Sequence, residues 1–135
     1  MIKKILAAIL FVVTICSCSN NKKENPSTAI GAGSAFIRAT LDGDFTSAET
    51  LLLKDTENLQ LFDVYKIRYE RLPATTKKSY RDANYNINNF KEENDSVKFI
   101  NYSNDYLKKP MDIKIVRVNG DWKIDFKYTL AGNPN

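Results

Sequence analysis

Residues 111–130 read MDIKIVRVNGDWKIDFKYTL, and this stretch decides the fold. Trp122, Ile124, Phe126, Tyr128 and Leu130 alternate with Asp121, Lys123, Asp125, Lys127 and Thr129. That is the period of two of a half-buried strand. Asn119-Gly120 is the pair favoured in a two-residue hairpin turn, because both positions need positive φ. A turn there fixes the register. Arg117 faces Trp122, Ile115 faces Ile124, Ile113 faces Phe126 and Met111 faces Tyr128 on one side. On the other side Lys114 meets Asp125 and Asp112 meets Lys127. One register gives apolar pairs within and opposite charges without, and a slip by one residue would scatter both sets.

Upstream, Tyr80 to Phe90 reads as a strand with Ala83, Tyr85 and Ile87 on one side, and Lys91 to Asp95 as a polar turn. Ser96 to Tyr102 reads as a second strand, with Val97, Phe99 and Ile100, Tyr102 placing apolar groups on both faces. Ser103-Asn104-Asp105 and Lys108-Lys109-Pro110 belong to a longer connection. Before these strands the apolar period is helical. Lys54 to Leu72 is the longest such pattern, with Leu59, Phe62, Tyr65, Tyr69 and Leu72 on one stripe and Pro73 as its stop. A short helix around Phe45, Ala48, Leu51 and Leu52 precedes it, capped by Asp44. A first helix starts at Pro26-Ser27, with Ser27 as cap, and carries Ile30, Phe36, Ile37 and Leu41 to the break at Asp42-Gly43-Asp44. Three helices followed by an antiparallel meander of about four strands predict an α+β domain, helices packed on one side of a curved sheet.

The amino-terminal end carries an address. Lys3-Lys4 precede an apolar run of about eleven residues, where a membrane span needs roughly 20. The run closes on Ile15-Cys16-Ser17-Cys18, which resembles the signal of bacterial lipoproteins: an aliphatic residue, a tolerant position, a small residue, then cysteine. The resemblance implies cleavage between Ser17 and Cys18 and a diacylglycerol thioether on Cys18. Cys16 fits poorly because bulky Ile15 precedes it. Two or more acyl chains anchor firmly, at about 0.8 kcal/mol per buried methylene. Ser19, where Asp would favour inner-membrane retention, makes the outer membrane the favoured placement within the cell envelope. The chain thus divides into a signal peptide (1–17), a flexible tether (18–26), one domain (27–131) and a tail (132–135).

Composition narrows the chemistry. Loss of residues 1–17 removes Lys3 and Lys4 and leaves 18 basic residues against 16 acidic ones, a net charge of +2. That balance gives no ground for nucleic-acid binding, and Lys77-Lys78 and Lys108-Lys109 are short pairs of the kind found in solvated turns. Only Cys18 survives cleavage, and lipid occupies it, so neither a disulfide nor a thiol nucleophile is expected. With no histidine in the chain, the commonest general base and metal ligand are both missing. No metal or other cofactor is expected. Asn94-Asp95-Ser96 and Asn101-Tyr102-Ser103 match a glycosylation pattern, by chance in a bacterial host.

The run from Ala35-Phe36 through Leu41-Asp42-Gly43-Asp44-Phe45 to Ala48 and Leu52, together with Val118-Asn119-Gly120-Asp121-Trp122-Lys123-Ile124, resembles the nuclear transport factor 2-like (cystatin-like) superfamily. The likeness covers residues 27 to 130 and is nearest to small lipoproteins of domain of unknown function family 4878. It implies a cone-shaped cavity between helices and sheet. The same scaffold hosts isomerases, dehydratases and binding pockets, so fold alone does not decide function.

An enzyme of this type needs an inward acid/base pair, as ketosteroid isomerase uses Asp and Tyr in an apolar site. The deduced register turns Asp112, Asp121 and Asp125 outward, and puts Asp82 with Asn84 and Asn86, away from Tyr85 and Ile87. No catalytic residue is therefore assigned. Candidate ligand contacts are Asn101, in step with Val97 and Phe99, and Arg117, in step with Ile113 and Ile115. Arg117 over the Trp122 ring would present a cation beside an aromatic floor; the plainer alternative is a stem packed on Trp122 with its head in water. Tyr85 and Tyr102 join this set at the same mouth. Ile100, Tyr102, Val116 and Val118, outward by alternation, are a candidate docking patch for an envelope protein. The reading is a lipid-anchored, non-catalytic domain for a small ligand or a protein partner, with an isomerase or dehydratase as the alternative.

Overall fold

The computed structural model describes residues 26–132. The expected signal peptide, with Ser17 and Cys18, nearly all of the expected tether, and residues 133–135 lie outside them. The decisive hairpin forms at the expected turn: Asn119 has φ 51° and Gly120 φ 85°. It joins β3 (Met111–Val118) to β4 (Asp121–Ile124), pairing Arg117 with Trp122 and Ile115 with Ile124.

Beyond Ile124 the expectation fails. Residues Phe126–Gly132 form a helix, so Ile113 does not face Phe126 and Met111 does not face Tyr128. The cause lies in the chain segment after the second helix. Leu52 bridges Ile124 in parallel, Leu53 N donates to Ile124 O (2.9 Å) and Ile124 N to Leu51 O (2.8 Å). Phe126 then turns into the core, with its ring 5.2 Å from Phe62 and 5.5 Å from Tyr65. A residue that packs inward satisfies either period, which is why alternation misread it. Lys114 does meet Asp125, at 3.2 Å, but Lys127 pairs with Asp55 (3.4 Å) and Glu57 (3.7 Å) instead of Asp112.

The remaining strands are β1 (Tyr85–Asn94) and β2 (Val97–Asn104), giving one antiparallel sheet in the order β1-β2-β3-β4. β1 starts later and runs further than expected, since the charged stretch to Asn94 is strand and the turn is Asp95-Ser96. Bulges fall between Ile87 and Asn89 and between Glu92 and Asn94.

Helices α1 (Ala29–Asp42), α2 (Phe45–Thr50) and α3 (Thr56–Glu70) match the three expected ones. The cap of α1 is Thr28 rather than Ser27: its side chain accepts from Gly31 N at 3.1 Å. Ile30 is exposed, while Phe36, Ile37 and Leu41 are buried. Asp44 caps α2 as expected, accepting from Ser47 N. A fourth helix, α4 (Ala74–Asp82), replaces the start of the expected first strand. Pro73 opens it, Lys78 pairs with Asp82 within it, and Arg38 of α1 donates to its last carbonyls, Arg81 O (3.1 Å) and Ala83 O (2.9 Å). The helix of residues 126–132 is α5.

Helices α1 and α5 pack on the sheet, and α3 packs on α5. Phe36, Ile37, Phe62, Ile100, Ile113 and Ile115 are among the buried core between them. The close approach of α1 depends on Gly33. A Cβ there would fall against Ile100 Cδ1 and within 3.0 Å of Ile115 Cδ1.

Candidate functional site

One end of the space between α1, α3, α4 and the sheet is not filled. Phe36, Thr40 and Leu41 of α1 and Leu61, Val64, Tyr65, Arg68 and Tyr69 of α3 line a cavity of 390 Å³. Leu72, Tyr80 of α4, Tyr102 and Asn104 of β2, Leu107, Lys109, Met111, Phe126 and Thr129 complete it. The volume lies within the roughly 300–1,000 Å³ of small-molecule sites. Two periods build the lining. Residues 61, 65, 68, 69 and 72 share one side of α3 and its continuation by helical spacing, while Tyr102 and Asn104 share one face of β2 by strand spacing.

The polar groups on this surface are phenols, hydroxyls and an amide. Burial pushes the Tyr65 phenol up to about 12, with Tyr80 and Tyr69 adding to the effect. Burial also raises Tyr102, helped by Tyr65 and Tyr80, and raises Tyr80, helped by Tyr106 and Tyr69. All three are therefore neutral hydrogen-bonding groups near pH 7. The buried Tyr69 hydroxyl has no hydrogen-bond partner among the described residues, and neither has the buried Asn104 Nδ2. Asn104 is held by its other end: its Oδ1 accepts from Tyr106 N (3.1 Å) and Leu107 N (2.8 Å). Arg68 and Lys109 are exposed and stand at the rim.

No carboxylate lines the cavity among the described residues. Asp112 is on the opposite face of the sheet, where it accepts from Asn101 Nδ2 at 2.7 Å, and Asp121 is exposed. Asp125 is buried rather than solvated, one oxygen on Lys114 and the other without a partner among the described residues, but it does not reach the cavity. Asp82 sits on α4 in its pair with Lys78, not on a strand. Glu92 shares the register of the inner face at the sheet's end, exposed and 3.2 Å from Lys98 Nζ. The described residues hold no cluster of three or more metal-ligating side chains.

Of the five candidate contacts, the cavity takes Tyr102. Ile100 pairs with Ile113 and is fully buried, so Ile100 and Tyr102 face inward, and Val97, Phe99 and Asn101 face outward. The expected docking patch is thus divided between two faces. Asn101 bridges Asn88 (3.0 Å) and Asp112 on the outer surface. Tyr85 is on the inner face with its hydroxyl 3.5 Å from Ser34 O, away from the cavity lining. Arg117 and Trp122 form their cation–π pair at 5.6 Å at the hairpin end, with Arg117 Nε donating to Gly120 O (3.4 Å). Trp122 is buried and Arg117 exposed, which is the plainer of the two readings.

Tyr65, Tyr69, Tyr80, Asn104, Arg68 and Lys109 are the lining groups that sequence reasoning passed over. The first two lie on the α3 stripe, where a phenol reads the same whether its hydroxyl meets protein or a cavity. No family model, curated protein or solved structure matches the chain.

Proposed function

We propose that this is a bacterial lipoprotein, held at the cell envelope by lipid on Cys18, whose domain forms the nuclear transport factor 2-like cone and binds a small ligand without catalysis. The observation that carries the ligand reading is the cavity itself: apolar walls and phenols kept neutral. The divided apolar patch on the sheet weakens the reading as a partner-docking module.

The isomerase or dehydratase alternative finds little support. A general acid or base works best with a pKa near the operating pH, and a phenol protonated until about pH 12 is far from it. The anchor rests on Ile15-Cys16-Ser17-Cys18, and the outer membrane is favoured by Ser19. No helix of the described residues is long and apolar enough to cross a membrane.

The test uses a neutral dye. N-phenyl-1-naphthylamine should brighten on mixing with the purified full chain, and the gain should vanish in Leu61→Trp and Val64→Trp, which place an indole in the cavity or its rim. Val64 is exposed, so the second variant keeps the core intact. No brightening, or brightening indifferent to both substitutions in folded protein, would overturn the ligand reading.

A further inference from the structure

We propose that the occupant is an amphiphile with an anionic headgroup, such as a fatty carboxylate, its tail among the apolar walls and its headgroup at Arg68 and Lys109. The inference rests on the cavity being a ligand site. Charge at the lining is of one sign, two cations and no acidic side chain among the described residues. Arg68 makes no ion pair among them either. Asn104, on the same lining, offers no free acceptor: its side-chain oxygen is taken by two backbone N–H groups and its enclosed Nδ2 can only donate. Those N–H groups belong to the loop that carries Lys109, and Lys108 N donates to Asn104 O at 2.9 Å. The orphan donor and one rim cation are therefore on the same wall, with Arg68 contributed by α3. A negatively charged headgroup is favoured beside this cationic rim. The deeper surface, around Phe36 and Phe126, offers an alkyl chain apolar contact. The volume of 390 Å³ lies near the small end of ligand sites.

Calorimetric titration of the purified full chain with decanoate, decan-1-ol and decyltrimethylammonium tests the headgroup. Decanoate should bind at least about tenfold more tightly than the alcohol, the scale of one hydrogen bond to a charged group. Its affinity alone should fall with added salt. The double variant Arg68→Gln/Lys109→Gln should bring decanoate down to the level of the alcohol. Equal affinities, a preference for the ammonium, or decanoate binding unmoved by the double variant would overturn the proposal. Dye binding without a decanoate preference would sink this inference and leave the cavity reading standing, whereas loss of both would sink the two together.

Discussion

Asn58 is fully buried, and each of its polar atoms is engaged. Its N–H donates to Asp55 Oδ1 (2.8 Å), its Nδ2 to Asp55 Oδ2 (2.8 Å), and its Oδ1 accepts from Lys127 N (2.8 Å). It thereby ties the start of α3 to the start of α5. Asn58→Ala should strand the Lys127 N–H and lower stability by about 1–3 kcal/mol in urea unfolding. Gly33 answers to a different constraint, the distance between α1 and the sheet. Gly33→Val should cost about 1–3 kcal/mol by overpacking against Ile100 and Ile115. Tyr65 gives a prediction at high pH. Its folded pKa is raised, so its contribution to stability is complete below the ordinary 10.0 and is lost as pH rises through about 12. Tyr65→Phe should remove a late step from the phenolate absorbance titration while leaving the earlier rise in place.

At the scale of elements, legibility followed the strength of the local signal. The turn at Asn119-Gly120 and the pairs Arg117–Trp122 and Ile115–Ile124 were readable because turn chemistry and face alternation agree there. The end of β4 was not, because Leu51–Leu53, remote in sequence, takes the edge beside Ile124 and the chain leaves the sheet. α4 was hidden for a similar reason: ATTKKSYRD has a single large inward apolar group, Tyr80, and Arg38 from another helix caps its carbonyls. β2 has apolar residues on both faces, so only its partners settle that Ile100 and Tyr102 point inward. That ambiguity cost the candidate site Asn101 and hid Asn104. The cap of α3 also carries a pH dependence. The Asn58 backbone N–H holds the Asp55 carboxyl below its ordinary value, despite opposing desolvation, with help from the Asn58 side chain and Lys127. A depressed pKa contributes stability above the unfolded value of 3.8 that is lost as pH falls through the lower folded one. Urea midpoints followed down through that window should fall more steeply for the native chain than for Asp55→Asn.

For the whole molecule, a four-stranded antiparallel sheet backed by helices leaves one end of its interior open, and its chemistry is donor-rich, neutral inside and cationic at the rim. On the proposed reading, the amino-terminal lipid sets where this hollow operates and the tether lets it meet ligands at the envelope surface. Cys18→Ala should then move the protein from the membrane fraction to the soluble one; unchanged membrane association would count against the anchor while leaving the cavity untouched. The central question is whether the hollow takes a guest. A crystal structure grown with N-phenyl-1-naphthylamine addresses that directly. Dye density is expected between α3 and β2, in contact with Tyr65 and Tyr102. Side chains closed over that space, with the dye elsewhere or not bound, would contradict it.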